Sequence, residues 1–276
     1  MLGKLLKYEF KAMGRILLPL YCAAIIMGFI TALLFRITPN DDLNNLNIIA
    51  VAAILAIILF AVFVTATVGL SFIMSIYRFR KNLLCREGYL MNTLPVSVGQ
   101  HIYSKLIVAM VFEILSIVVA VIAWAAFIIS VSGASYAEAF NGVYVIINNI
   151  NEKINMSYGY IVVEFIVLTL LEFVTLNMSI YASMSMGHSS NDHKILKSVG
   201  AYIVFYIVSQ FINFVFVNIF ILRVYSADIA SSVTDIPSGL NFFNKLIIGT
   251  GVEQLLFIFV YTLITSYFLK KKLNLQ

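Results

Sequence analysis

Apolar residues run in six long stretches, and polar and basic residues gather between them. The stretches cover 16–35, 48–77, 106–132, 157–187, 199–222 and 246–269. Each reaches the roughly 20 residues that carry a helix across a ~30 Å hydrocarbon core. The first, second and fifth hold no charge; the third holds Glu113, the fourth Glu164 and Glu172, and the sixth Glu253. The period-2 alternation of a membrane barrel is absent, so the pattern predicts helices. The expected fold is an all-α polytopic membrane protein, one transmembrane domain over 1–276 with six spans.

The segments between the stretches set the orientation. Lys4, Lys7, Lys11 and Arg15 precede the first span. Arg78, Arg80, Lys81, Arg86 and Lys105 follow the second. Lys194 and Lys197 follow the fourth, and Lys270, Lys271 and Lys272 follow the sixth. These are 14 of the 18 basic residues. Cytoplasmic loops collect Lys and Arg, so both termini are expected in the cytoplasm. Within 1–15, Leu2, Leu5, Leu6, Phe10 and Met13 recur at helical spacing opposite the basic residues. That pattern predicts an amphipathic helix in the headgroup layer, with Gly14 and Pro19 letting the chain turn into the membrane. A plain positive flank for the first span is the simpler alternative.

Segment 78–105 is the longest cytoplasmic connection. Residues 87–94 form a short helix in this reading, with Tyr89, Leu90 and Leu94 on one side. Pro95 ends it and Ser97 caps the helix that follows. Such a helix either packs on a partner or lies on the membrane as a connector. Outside, segment 223–245 is read as a loop holding Pro237 and Gly239.

Composition narrows the function. Hydrophobic residues make up 62% of the chain and charged residues 11%, with a mean hydropathy of +0.99. A soluble domain has about 25% charged residues, so a water-soluble enzyme is excluded, and disorder with it. Cys22 and Cys85 sit in different surroundings, one apolar and one basic, and are not expected to pair. The net charge of +5 reads as topology, not as a nucleic-acid footprint. The first span exceeds a signal-peptide core and lacks a small-residue cleavage site, so it is read as retained.

Chemical motifs are few. No GxxxxGK[ST] loop, HExxH or GxSxG is present, and His101, His188 and His193 show no metal-ligand spacing. The chain is expected to bind no cofactor or metal of its own. The intramembrane carboxylates stand out, because a charge at mid-bilayer costs at least ~2.5–3.5 kcal/mol. Glu164, Glu172 and Glu253, with Gln210 and Asn213 of the fifth span, line a polar pathway in one reading. In the other they are interhelical hydrogen-bonding glue, and Glu113 is read as glue.

Two segments carry a family resemblance. Leu5-Leu6-Lys7-Tyr8-Glu9-Phe10-Lys11 and Glu87-Gly88-Tyr89-Leu90 … Thr93-Leu94-Pro95-Val96-Ser97 … Ser104-Lys105 resemble the permease subunits of ABC exporters of the six-span ABC-2 class. Asn92 departs from the apolar residue common there. The resemblance implies a membrane-lying N-terminal helix and re-entrant structure within 223–245. It implies a coupling helix, Glu87, Gly88, Tyr89, Leu90, Thr93, Leu94 and Pro95, that docks on a separate ATPase subunit holding ATP and Mg. It also implies a second permease chain, identical or related, in a bacterial plasma membrane. The cargo is left open among peptides, antimicrobials, drugs and lipids. Two rivals are a proton-coupled secondary transporter and a non-transporting immunity or sensor subunit.

Overall fold

The structure, a computed structural model, describes residues 2–37, 48–85, 88, 96–132, 158–190, 192–227 and 236–271, with isolated residues between 138 and 149. Six long helices account for nearly all of them: α1 (Leu2–Ile37), α2 (Ile48–Phe79), α3 (Val98–Ser132), α4 (Tyr158–Gly187), α5 (Lys194–Ala227) and α6 (Ile236–Lys271). A single π-helical turn, Arg80–Leu84, continues α2. No strand occurs among the described residues. All six helices are long and apolar enough to cross a membrane. Their outer faces leave Leu59, Val62, Val121, Phe165, Phe211, Phe214 and Phe259 exposed, surface that only lipid or a partner would cover. The chain is a multi-pass membrane protein.

The helices outrun the predicted spans. The segment 1–15 is not a separate surface helix: α1 runs unbroken through Gly14 and Pro19. Proline there forfeits one backbone bond, a loss that membrane helices tolerate when neighbours hold them. Met13, Leu17, Tyr21 and Ala24 supply that hold, buried in one cluster with Val108, Phe112 and Val119 of α3. Segment 223–245 is likewise shorter as a connection than expected. Helix α5 continues to Ala227 and α6 starts at Ile236, with Pro237 at its second position, where a missing N–H costs nothing. No re-entrant break interrupts α6, and residues 228–235 lie outside the described residues. Ser97 does cap α3, accepting a bond at 3.4 Å from the Gln100 N–H. Of the expected coupling helix only Gly88 is described. Glu87, Tyr89, Leu90, Thr93, Leu94 and Pro95 lie outside the described residues. Cys22 and Cys85 are both free thiols.

The chain divides into two compact units. One comprises Met1–Arg78 and His101–Ile147, the other Phe79–Gln100 and Asn148–Gln276. In the first unit, α2 buries Ala53, Phe60, Val64, Thr67, Ser71 and Ser75 at helical spacing. Small residues bring the backbones close: a Cβ on Gly28 would lie 3.2 Å from the Phe60 ring and 3.3 Å from the Ala123 carbonyl. Polar bonds pin the register. Tyr21 Oη donates to the Phe112 carbonyl (2.9 Å), and Ser71 Oγ to Ser116 Oγ (3.0 Å).

In the second unit α4 packs along both α5 and α6. The α4–α5 corner is tight. A Cβ on Gly187 would meet the Ser198 backbone, with Cα at 2.6 Å. Gly187→Ala must therefore push two helices apart, and we expect a loss of about 1–3 kcal/mol. Thermal unfolding in lipid nanodiscs measures it.

Candidate functional site

Three helices of the second unit turn a polar row toward one another. On α4, Glu172, Thr175 and Ser179 follow at i, i+3 and i+7. On α6, Gln254, Phe257 and Tyr261 do the same. On α5, Tyr202, Tyr206, Ser209, Gln210 and Asn213 fall on one face. Together these rows line a cavity of about 360 Å³. The spacing is that of one helix face, so the sequence placed these groups in register long before they met.

The serine and threonine hydroxyls of the wall donate to their own helices. Thr175 Oγ1 donates to the Leu171 carbonyl (2.9 Å), Ser179 Oγ to Leu176 (2.8 Å) and Ser209 Oγ to Tyr206 (2.9 Å). Asn213 Nδ2 donates to Glu253 Oε2 at 3.3 Å, across from α5 to α6. Glu253 is buried just behind the wall. Its Oε1, like Gln254 Oε1, has no hydrogen-bond partner among the described residues. Aromatic rings form the rest of the lining. Phe257 and Tyr261 stack with centroids 6.0 Å apart, and Tyr202 and Tyr206 at 6.5 Å.

Of the residues expected in a pathway, the structure brings Glu172, Gln210 and Asn213 to the cavity and places Glu253 behind it. Glu164 lies two turns along α4 from Glu172 and does not line the cavity. Glu113 lies in the other unit, buried on α3, where its carbonyl accepts from Ser116 Oγ (2.7 Å). Sequence reasoning missed Gln254 and the three tyrosines. The signal was present as Gln254, Phe257 and Tyr261 on one α6 face, continuing the polar position of Glu253.

A second constellation was missed altogether. Glu9 of α1 is buried between two cations: Oε2 meets the Arg78 guanidinium at 2.8 Å, and Oε1 meets Lys105 Nζ at 2.6 Å. The Lys105 side chain is 4% exposed and that of Arg78 20%. The triad puts the start of α1, the end of α2 and the start of α3 on one side of the membrane. It also ties down both roots of the segment 78–105. The body of that segment belongs elsewhere, since residues 79–100 group with the cavity-bearing unit. Phe79 stacks flat on Tyr181 of α4, centroids 3.9 Å apart and rings 5° from parallel, with both side chains fully buried. The π-helical turn that follows buries Asn82, Leu83 and Leu84.

At the end of α4, His188 is buried, with Nδ1 3.0 Å from the Met184 carbonyl. Burial lowers its pKa below the ordinary histidine value. The Met184 bond opposes this, and the charges of Arg80 and Lys194 add to it. The folded state thus resists a proton that the unfolded chain accepts below about pH 6.5. Stability should fall as the pH drops through that range and level off below the folded pKa. His188→Gln should flatten the change, as read by melting temperatures between about pH 7 and pH 5.

No metal-binding group of three or more His, Cys, Asp or Glu side chains occurs among the described residues. Comparisons of the chain with family models, curated proteins and solved structures return no match.

Proposed function

We propose that this protein is the membrane subunit of an ATP-driven exporter of the ABC-2 kind, working with a separate ATPase chain that supplies ATP and Mg. The observation that carries the reading is the Glu9–Arg78–Lys105 triad. Glu9 and Lys105 belong to the two segments on which the resemblance rests, and in the folded chain they touch. The grouping of 79–100 with the cavity-bearing unit supports the same reading. A push on that segment passes through the Phe79–Tyr181 stack into α4, whose preceding turns carry Ser179, Thr175 and Glu172. In this account both termini and segment 78–105 face the cytoplasm of a bacterial cell, and a second permease chain completes the pathway.

Tyr89 and Leu94 are the anchors on which docking depends in this reading, because buried aromatic and aliphatic groups dominate interfaces. Replacing both with Ala should weaken ATPase association by at least about 2 kcal/mol. The chain should still insert, since no span changes. Pull-down of the ATPase with the double variant tests this, and full retention would move docking away from 87–97.

A second reading has one observation in its favour. Glu172 lies on the wall of a polar cavity and Glu253 behind it, with no basic side chain in the lining among the described residues. That is an arrangement a proton-coupled carrier would use. Such a protein would work without any ATPase.

A further inference from the structure

We propose that the α4–α6 cavity takes an amphipathic organic cation, a ligand with an ammonium or guanidinium head on an apolar body. The proposal rests on the transport reading only in making this ligand the cargo class; binding itself needs neither ATP nor a partner.

Charge and ring content point the same way. Among the described residues, Glu172 is the one charged side chain in the lining. A carboxylate within a membrane span needs water, a proton or a counter-charge, and the lining offers no Lys, Arg or His among the described residues. Two acceptors of the site bear on the ligand: the Glu172 carboxyl in the lining and the Gln254 side-chain oxygen. The serine and threonine hydroxyls donate to their own helices, and Asn213 donates to Glu253. Gln254 Oε1 is buried and without a partner among the described residues. A ligand that brings N–H donors and positive charge meets both Glu172 and the Gln254 oxygen, whereas an anion would be opposed by the Glu172 charge.

The rings supply the remaining affinity. Tyr202, Tyr206, Phe257 and Tyr261 line the cavity, and aromatic rings attract cations and cover apolar surface. The volume of about 360 Å³ falls at the small end of the roughly 300–1,000 Å³ range of ligand pockets. It fits one ring with a short chain and a cationic head, or one basic side chain of a longer peptide.

The test uses the full chain in lipid nanodiscs, with empty nanodiscs as the background, and equilibrium binding of three probes of one shape. Phenylbutylguanidinium is the cation, phenylbutanol the neutral form and phenylbutyrate the anion. Saturable binding is expected for the cation, at least about tenfold tighter than for the alcohol, a factor that one charge-assisted contact supplies. Glu172→Gln should remove that preference, while Glu164→Gln, outside the cavity, should leave it. The probe series on the native chain needs no variant, so a Glu172 variant that fails to fold leaves the test standing.

Equal binding of cation and alcohol would overturn the proposal. So would tighter binding of the anion, or binding of a neutral sugar such as maltose in preference to the cation. Because no ATPase is present, a negative result removes the ligand class and leaves the exporter reading to its own experiment.

Discussion

Glu9→Gln will cost this protein about 3–5 kcal/mol of stability, the range found when one member of a buried ion pair is removed. The glutamine keeps the shape but not the charge. It leaves Lys105, whose side chain is 4% exposed, with its main counter-charge gone, and Arg78 short of the same partner. Removing the Glu9 charge takes the shared anion from between Arg78 and Lys105. Three helices should loosen together at this end, because Glu9 lies on α1, Arg78 on α2 and Lys105 on α3. A companion variant separates the charge from the packing. Glu9→Leu with Lys105→Met replaces the innermost pair with apolar groups and leaves Arg78, the most exposed member, to reach water. Buried ion pairs replaced in this way are often neutral or stabilising. Melting temperatures in nanodiscs should therefore fall sharply for the single variant and recover in the double. A single variant as stable as the native chain would show that the triad holds nothing together.

Phe79→Ala is expected to cost a similar amount, about 3–5 kcal/mol, for a different reason. The ring is fully buried and lies flat on Tyr181, itself fully buried. Truncation opens a cavity that the π-helical turn next to it is poorly placed to fill, since Asn82, Leu83 and Leu84 are already packed. A double-mutant cycle of Phe79→Leu with Tyr181→Leu should give a coupling of about 0.5–1.5 kcal/mol beyond the area buried. Function should respond as well. If segment 79–100 works on α4 through this stack, the weaker Phe79→Leu variant should still bind the ATPase but hydrolyse ATP without moving cargo. Normal coupling of hydrolysis to transport in that variant would assign the stack to stability alone.

The helices were legible because lipid leaves the backbone no alternative, so long apolar runs without strand alternation suffice. The Ser97 cap was legible too, since it depends on residues three apart. Helix ends were not, because α1, α5 and α6 extend through polar and proline-containing flanks at which a hydropathy pattern stops. The cavity was half legible. Glu172, Gln210 and Asn213 stand out against an apolar background. Tyr202, Tyr206 and Tyr261 carry no charge and have a largely apolar ring, so they do not stand out within an apolar span. Glu9 was the hardest to see. It reads as one acid on the polar face of a basic segment, which normally means water. Its burial depends on Arg78 and Lys105, separated from it by 69 and 96 residues, and no local pattern reports that.

The central claim is that ATP hydrolysis by another chain drives this one. The most direct measurement is to purify the protein from its own membranes into lipid nanodiscs and assay hydrolysis of Mg-ATP. The account predicts that a second chain, bearing the GxxxxGK[ST] loop this one lacks, comes through in fixed proportion. Its hydrolysis should be lost when Tyr89 and Leu94 of this chain are both Ala. A protein that purifies without any ATP-hydrolysing chain, and in proteoliposomes moves cargo on a proton gradient alone, would contradict it.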